Sequence, residues 1–236
     1  MTTPLAICCK NVQKTYRTAS AAVQALRGVD LELEAGKLLM IVGPSGSGKT
    51  TLISIIAGIL NPDIGECKIF GTEMAHLTDR EKTQFRGKHI GFVFQAFNLI
   101  PMLTARENVA VPLLLNGEPM ASSLKKAEEI LVSFDLKDKL DKYPAELSGG
   151  QQQRVAIARS AVHSPQLIVC DEPTSALDHE TGVKVLQLLK EQVLKENRAL
   201  VVVTHDQRIF PFADRIVKLD DGKIINNTIN HSLPSG

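Results

Sequence analysis

Gly43-Pro44-Ser45-Gly46-Ser47-Gly48-Lys49-Thr50 has the G-x-x-x-x-G-K-T spacing of a phosphate-binding loop. The glycines let successive backbone N–H groups turn inward around phosphates, and a helix N-terminus adds a favourable dipole. Lys49 would reach the β- and γ-phosphates as a point charge, and the Thr50 hydroxyl would ligate Mg²⁺. A second group of chemical residues, Asp171-Glu172, ends the apolar run Leu167-Ile168-Val169-Cys170. A buried parallel strand would deliver Asp171 to the metal. Glu172, one residue beyond, is placed to polarise an attacking water, and such a base contributes about 10²–10⁴-fold. Two plain alternatives stand beside these readings: a glycine-rich turn without ligand, and a carboxylate pair that, with Pro173, caps the next helix.

A third stretch, Leu147-Ser148-Gly149-Gly150-Gln151, admits two readings. As local structure it is a flexible turn that N-caps a helix over 151–161. As chemistry, a serine hydroxyl and glycine amides at a helix N-terminus make a second anion site. That site and the phosphate loop are helix N-termini from different parts of the chain, so one chain would not readily fold one onto the other.

The elements that must position these residues follow from periodicity. Residues 7–12 and 29–33 alternate as strands, and 37–42 reads as a buried strand feeding the phosphate loop. A helix follows over 50–60 and stops at Asn61-Pro62, with further strands over 65–70 and 89–94. From 96 to 161 the pattern turns helical, over 105–115, 122–134 and 151–161, with Ser122 or Ser123 as N-cap of the second. Alternation of strand and helix then resumes: strand 167–170, helix 180–196, strand 200–204. That order predicts a parallel α/β core interrupted by a helical insert. The expected organisation is one domain over 1–236, with a catalytic core over 1–95 and 162–225, a helical subdomain over 96–161 and a fraying tail over 226–236.

Bulk properties narrow the classes further. A chain of this length can bury roughly 70–75% of its unfolded surface. Its 27 basic and 26 acidic residues give net charge +1, which does not favour a partner held by bulk charge such as nucleic acid. No apolar run approaches the length of a membrane helix, and Leu5-Ala6-Ile7-Cys8-Cys9 lacks the basic region and apolar core of a secretion signal. The four cysteines, Cys8, Cys9, Cys67 and Cys170, have neither metal-ligand spacing nor a disulfide framework, and read as reduced, buried thiols.

The phosphate loop, the acidic pair and Leu147 to Gln151 together resemble the ATP-binding cassette (ABC) family over about residues 5 to 225. The resemblance implies the ABC ATPase fold: a P-loop core with a mainly parallel sheet, an antiparallel β subdomain and an inserted α-helical subdomain. It implies binding of ATP and Mg²⁺ by the whole loop and Thr51, with Tyr16 stacked on adenine; stacking on a base is worth about 1–3 kcal/mol in single-stranded nucleic acids. Gln95 corresponds to the glutamine that senses Mg²⁺ and the transport partner. His205 corresponds to the switch histidine at the γ-phosphate. Ser175-Ala176-Leu177-Asp178 corresponds to the loop that contacts the opposite subunit, and Asp178 counts with the nucleotide-binding residues. Two copies are expected to pair head to tail, each placing Ser148, Gly149, Gly150 and Gln151 over the γ-phosphate held by the other. Tyr143 is assigned to packing.

The text of 94–101 and 103–109 is similar to the macrolide-exporter, lipoprotein-release and glycolipid-exporter group. That likeness implies one complete nucleotide-binding subunit that energises an integral membrane permease, with a periplasmic adaptor as further partner. Its place would be cytoplasmic, peripheral on the inner face of the cell membrane. Phe94, Phe97, Leu99 and Ile100 are apolar beside Gln95 and suit either a pocket for a partner's short helix or ordinary core. The competing class is a soluble ABC ATPase in DNA repair or on ribosomes. A P-loop kinase or GTPase has no use for Leu-Ser-Gly-Gly-Gln.

Overall fold

The computed structural model describes residues 4–18, 21–175, 177–194 and 198–229. Ala176, the end of the helix expected over 180–196 and the tail beyond 229 lie outside the described residues. Two long strands, β1 (Leu5–Arg17) and β2 (Ala22–Glu34), pair antiparallel, and β3 (Leu38–Val42) leads into α1 (Lys49–Ile56). There follow β4 (Ile64–Ile69), β5 (Thr72–Glu73), α2 (Asp79–His89) and β6 (Ile90–Val93). Helices α3 (Ala105–Leu115), α4 (Met120–Ser133) and α5 (Gly149–Ala161) come next, then β7 (Leu167–Asp171), α6 (His179–Val193) and β8 (Ala199–Val203). The chain closes with β9 (Arg215–Asp220) and β10 (Lys223–Ile229).

The strands form two sheets. One is antiparallel in the order β2-β1-β4-β5; the other runs β10-β9-β3-β8-β7-β6. In the second, β9, β3, β8, β7 and β6 are parallel, and only β10 is antiparallel to its neighbour. Its central strands carry apolar side chains on both faces, as a parallel sheet covered on both sides requires. Leu39, Ile41, Leu167 and Val169 face a core shared with α1 and the antiparallel sheet. Leu38, Met40, Ile168 and Cys170 face a second core with α3, α4, α5 and α6. Among the described residues no helix is long and apolar enough to cross a membrane.

Several elements differ from the sequence expectations. Helix α2 is not signalled by periodicity, because its lone buried residue is Lys82; Thr78 and Glu81 start it with a reciprocal capping box. Helix α1 stops at Ile56, four residues short of the expected end, and the chain turns at Gly58 with φ +65°. Helix α4 begins at Met120 behind Pro119, so neither Ser122 nor Ser123 caps it; the Ser123 hydroxyl instead donates to the Pro119 carbonyl. Residues 226–229, expected to fray, extend β10 along β9. Tyr143 is exposed, not packed. Of the four free thiols three are buried and Cys8 is half-buried. Mutual hydrogen bonding and burial push the Cys9 thiol well up, so it stays protonated.

Candidate nucleotide site

The site lies where the parallel sheet ends. Register sets Ile41 opposite Val203, Asp171 opposite Val203, and Val93 opposite Cys170. The loops that leave β3, β8, β7 and β6 therefore emerge side by side, about 4.8 Å apart strand to strand. Open parallel sheets bind ligands at this carboxyl edge. A cleft of about 570 Å³ opens there, lined by Gly43 to Gly46, Gly48 to Thr51, Gln95, Asp171, Glu172 and His205.

The phosphate loop is held by its glycines. Gly43, Gly46 and Gly48 have φ of +149°, +78° and +101°. A Cβ at Gly43 would collide with the Leu219 carbonyl and one at Gly48 with the Ala25 carbonyl, so the loop is pressed against β2 and β9. Lys49 Nζ donates to the Gly43 and Pro44 carbonyls at 2.9 and 2.7 Å, which folds its ammonium over the loop. Ser47 is buried beneath, and its Oγ has no hydrogen-bond partner. Helix α1 starts at Gly48 without a side-chain cap, and no acidic residue sits in its first turn. Its end N–H groups and positive dipole are thus offered to an anion.

Thr50 Oγ1 donates to Asp171 Oδ2 at 3.4 Å. Burial raises the Asp171 pKa; the Thr50 hydrogen bond opposes this, the neighbouring Glu172 carboxylate adds to it, and Lys49 opposes it. A hydroxyl and one carboxylate form no all-protein cage, and among the described residues no group of three or more His, Cys, Asp or Glu is arranged to hold a metal ion by itself. That donor set fits Mg²⁺, which keeps waters and takes phosphate oxygens beside one or two carboxylates.

Glu172 has φ +52°, a left-handed conformation that costs a non-glycine residue about 1–3 kcal/mol. Its N–H donates to the Val203 carbonyl at 3.0 Å, and its carbonyl accepts from the Ser175 N–H and hydroxyl at 3.2 and 3.0 Å. The strained backbone turns the carboxylate out of the strand direction and into the cleft. Its Oε2 lies 2.9 Å from His205 Nδ1, an ion-pair distance without hydrogen-bond alignment, so that buried oxygen has no hydrogen-bond donor. Glu172 is 12% exposed and His205 73%.

Tyr16 lies beside the cleft, its hydroxyl 3.4 Å from Thr51 Oγ1 and its ring half exposed. Ser148, Gly149, Gly150 and Gln151 do not line the cleft. Ser148 instead caps α5: its Oγ accepts from the Gln151 N–H at 3.3 Å while Gln151 Oε1 accepts from the Ser148 N–H at 3.0 Å. Asp178 caps α6, and hydrogen bonds from the Thr181 hydroxyl and N–H hold its carboxyl below the usual range. Ala25 and Val203 also line the cleft. They contribute a backbone carbonyl and a small apolar wall, which no sequence motif signals.

A second cleft, about 780 Å³, runs between α2, α3 and α5. Of the four apolar residues near Gln95, Phe94 and Ile100 line it. Leu99 packs on the helical core instead.

A phosphate loop at the carboxyl edge of a parallel sheet, facing an acidic strand end, defines a P-loop nucleotide-binding protein. Residues 26–175 match the ABC transporter family, and the chain belongs to it. It is 45% identical to an ABC transporter ATP-binding protein of Methanocaldococcus jannaschii, MJ0796, over 91% of this chain and 93% of that one. It is 41% identical to the lipoprotein-releasing system ATP-binding protein LolD of Legionella pneumophila, over 91% and 95%. The macrolide export ATP-binding/permease protein MacB of Campylobacter fetus is 38% identical over 94% of this chain but only 35% of its own length. The solved dimer of the MJ0796 cassette bound to ADP and Pi superimposes with a TM-score of 0.91 at 42% identity, covering 96% of this chain and all of that one. The chain is thus an ABC transporter ATP-binding subunit with the ABC ATPase fold. These relatives support a transport role, not the repair or ribosomal alternative.

Proposed function

We propose that this chain hydrolyses ATP between two of its own copies and thereby drives a membrane permease from the cytoplasmic face. The single observation that carries the reading is the split of the site. Lys49, Thr50, Gln95, Asp171, Glu172 and His205 share one cleft, while Ser148 to Gln151 stand outside it. The second anion-binding helix end of each copy is then available to the nucleotide of the other, in keeping with the dimeric cassette it resembles.

Within each site the phosphate-loop amides and Lys49 hold the phosphate chain, and Tyr16 meets the adenine. Thr50, Asp171 and Gln95 would hold Mg²⁺, which when bound neutralises charge on the phosphate oxygens. Glu172 accepts a proton from the attacking water, and its left-handed backbone fixes where that proton goes. His205, 2.9 Å away, orients the Glu172 carboxylate and faces the γ-phosphate. Asp178 sits on the loop that meets the partner copy. The apolar rim at Phe94 and Ile100 receives a short helix of the permease, and the likeness to the lipoprotein-releasing and macrolide-export subunits favours an extruding or extracting machine.

The test is Glu172→Gln in the full chain. Turnover should fall by about 10²–10⁴-fold, with ATP affinity retained and an ATP-dependent dimer accumulating on a sizing column. Normal turnover in that variant would remove Glu172 as the base.

A further inference from the structure

We propose that Arg159 is a positioning residue that holds the turn carrying Gln95 and ties it to the helix that begins at Ser148. The inference rests on the role proposed for Gln95 in holding Mg²⁺. Arg159 lies on α5 and is half-buried. Its Nη1 donates to the Asn98 carbonyl at 2.6 Å and its Nη2 to the Phe97 carbonyl at 2.7 Å. Both acceptor residues are left-handed, Phe97 at φ +57° and Asn98 at +49°. One such residue is uncommon, and a bulky aromatic there is an outlier. Two in succession need an external hold. The turn's own bonds are short-range, from Phe97 N–H to the Phe94 carbonyl and from Asn98 N–H to the Ala96 carbonyl.

A guanidinium is suited to that task. Its planar fork holds two N–H groups in a fixed geometry toward two adjacent acceptors, whereas the lysine ammonium is a rotatable point charge on a flexible stem. Among the described residues no carboxylate pairs with Arg159, so its donors are directed to these carbonyls. The same side chain lines the second cleft, where Phe94 and Asn98 also stand. One residue therefore joins the signature helix, the outer cleft and the strand end from which Gln95 enters the nucleotide site.

The experiment is a double-mutant cycle on ATP turnover by the full chain, with Arg159→Lys, Gln95→Ala and the pair. Arg159→Lys should lower kcat about fivefold to tenfold, leave KM for ATP within about twofold, and add no further loss in the Gln95→Ala background. A purely structural role would lower the folded fraction and multiply through in both backgrounds. Should Arg159→Lys not fold, Phe97→Pro breaks the turn with Arg159 intact, because proline cannot take φ +57°. It should give the same kcat loss, likewise absent beside Gln95→Ala. Unchanged kcat in the variant that folds, or full additivity with Gln95→Ala, would overturn the inference alone. Unchanged turnover in Gln95→Ala by itself would overturn the Gln95 reading and this inference with it.

Discussion

The chain contains two glycine- and serine-rich helix N-termini proposed as anion sites, and their local structures are opposite. Helix α1 begins at a left-handed Gly48 with no side-chain cap, and its loop is wedged against the Leu219 and Ala25 carbonyls. Helix α5 begins at Ser148 with two of its four end donors, the Ser148 and Gln151 N–H groups, closed by a reciprocal capping box. The first end is preformed and open, a shape its positive-φ glycines take without strain. The second is partly satisfied by its own side chains and exposed, so under the proposed pairing a partner's phosphate would compete with Gln151 for Ser148 or use the exposed Gly149. Under the proposed pairing, the difference gives tight binding to the loop and conditional, ATP-gated contact to the signature.

The contrast is broken most strongly at Ser148. Ser148→Arg should leave nucleotide affinity of the monomer within about twofold, because the residue is outside the cleft. ATP-driven pairing and turnover should fall by about tenfold or more, read by light scattering and phosphate release. Ser148→Ala is the control: it loses the same cap, worth about 1 kcal/mol, without the bulk. If Ser148→Arg weakens ATP binding as much as it weakens pairing, the two ends are not separate.

Paired glycine substitutions sharpen the same contrast in stability. Gly48→Ala must force a side chain onto the Ala25 carbonyl at φ +101°. It should cost about 1–3 kcal/mol and lower Tm by roughly 2–4 °C for each of them. Gly149→Ala meets nothing within 4 Å and sits in a helix. It should be neutral or stabilising by up to about 1 kcal/mol, while hindering close approach of the partner copy. Thermal melts of the two variants without nucleotide should therefore move in opposite directions, or one should not move at all.

The legible parts of the fold and site are those with apolar strands ending in a chemical motif. Strands β3, β7 and β8 are buried on both faces, so a run such as Leu167 to Cys170 marks the strand and directs attention to the carboxylates at its end. Helix α2 is hidden because Asp79–His89 has no apolar stripe; its only written signal is the Thr78-x-x-Glu81 box. Strand β10 is an edge strand with mostly exposed residues, so its polar text reads as a tail. The Ser122/Ser123 expectation fails because it weighs serine as a cap over Pro119, which stands just before the first turn. Arg159 carries no signal at all, since a charge on a helix ordinarily reads as a solvated face. The left-handed Glu172 is likewise invisible in sequence, although its motif marks the position.

The smallest expected effect concerns Asp171, where burial of a carboxylate puts the open end under electrostatic strain. Burial, aided by Glu172, raises its folded pKa above the unfolded value. A raised carboxylate pKa means the native chain binds the proton more tightly than the unfolded one. Ionisation of Asp171 therefore costs stability at neutral pH, and this cost fades as pH falls through the folded pKa. Asp171→Asn should raise the nucleotide-free Tm at about pH 7, with the gain shrinking toward acid, while Mg²⁺-dependent turnover is lost. No equivalent charge sits at the capped end of α5, whose first turn holds no acidic residue. A Tm gain for Asp171→Asn that persists unchanged in acid would show that the variant stabilises by packing, and that the open end of the site is not held under charge strain.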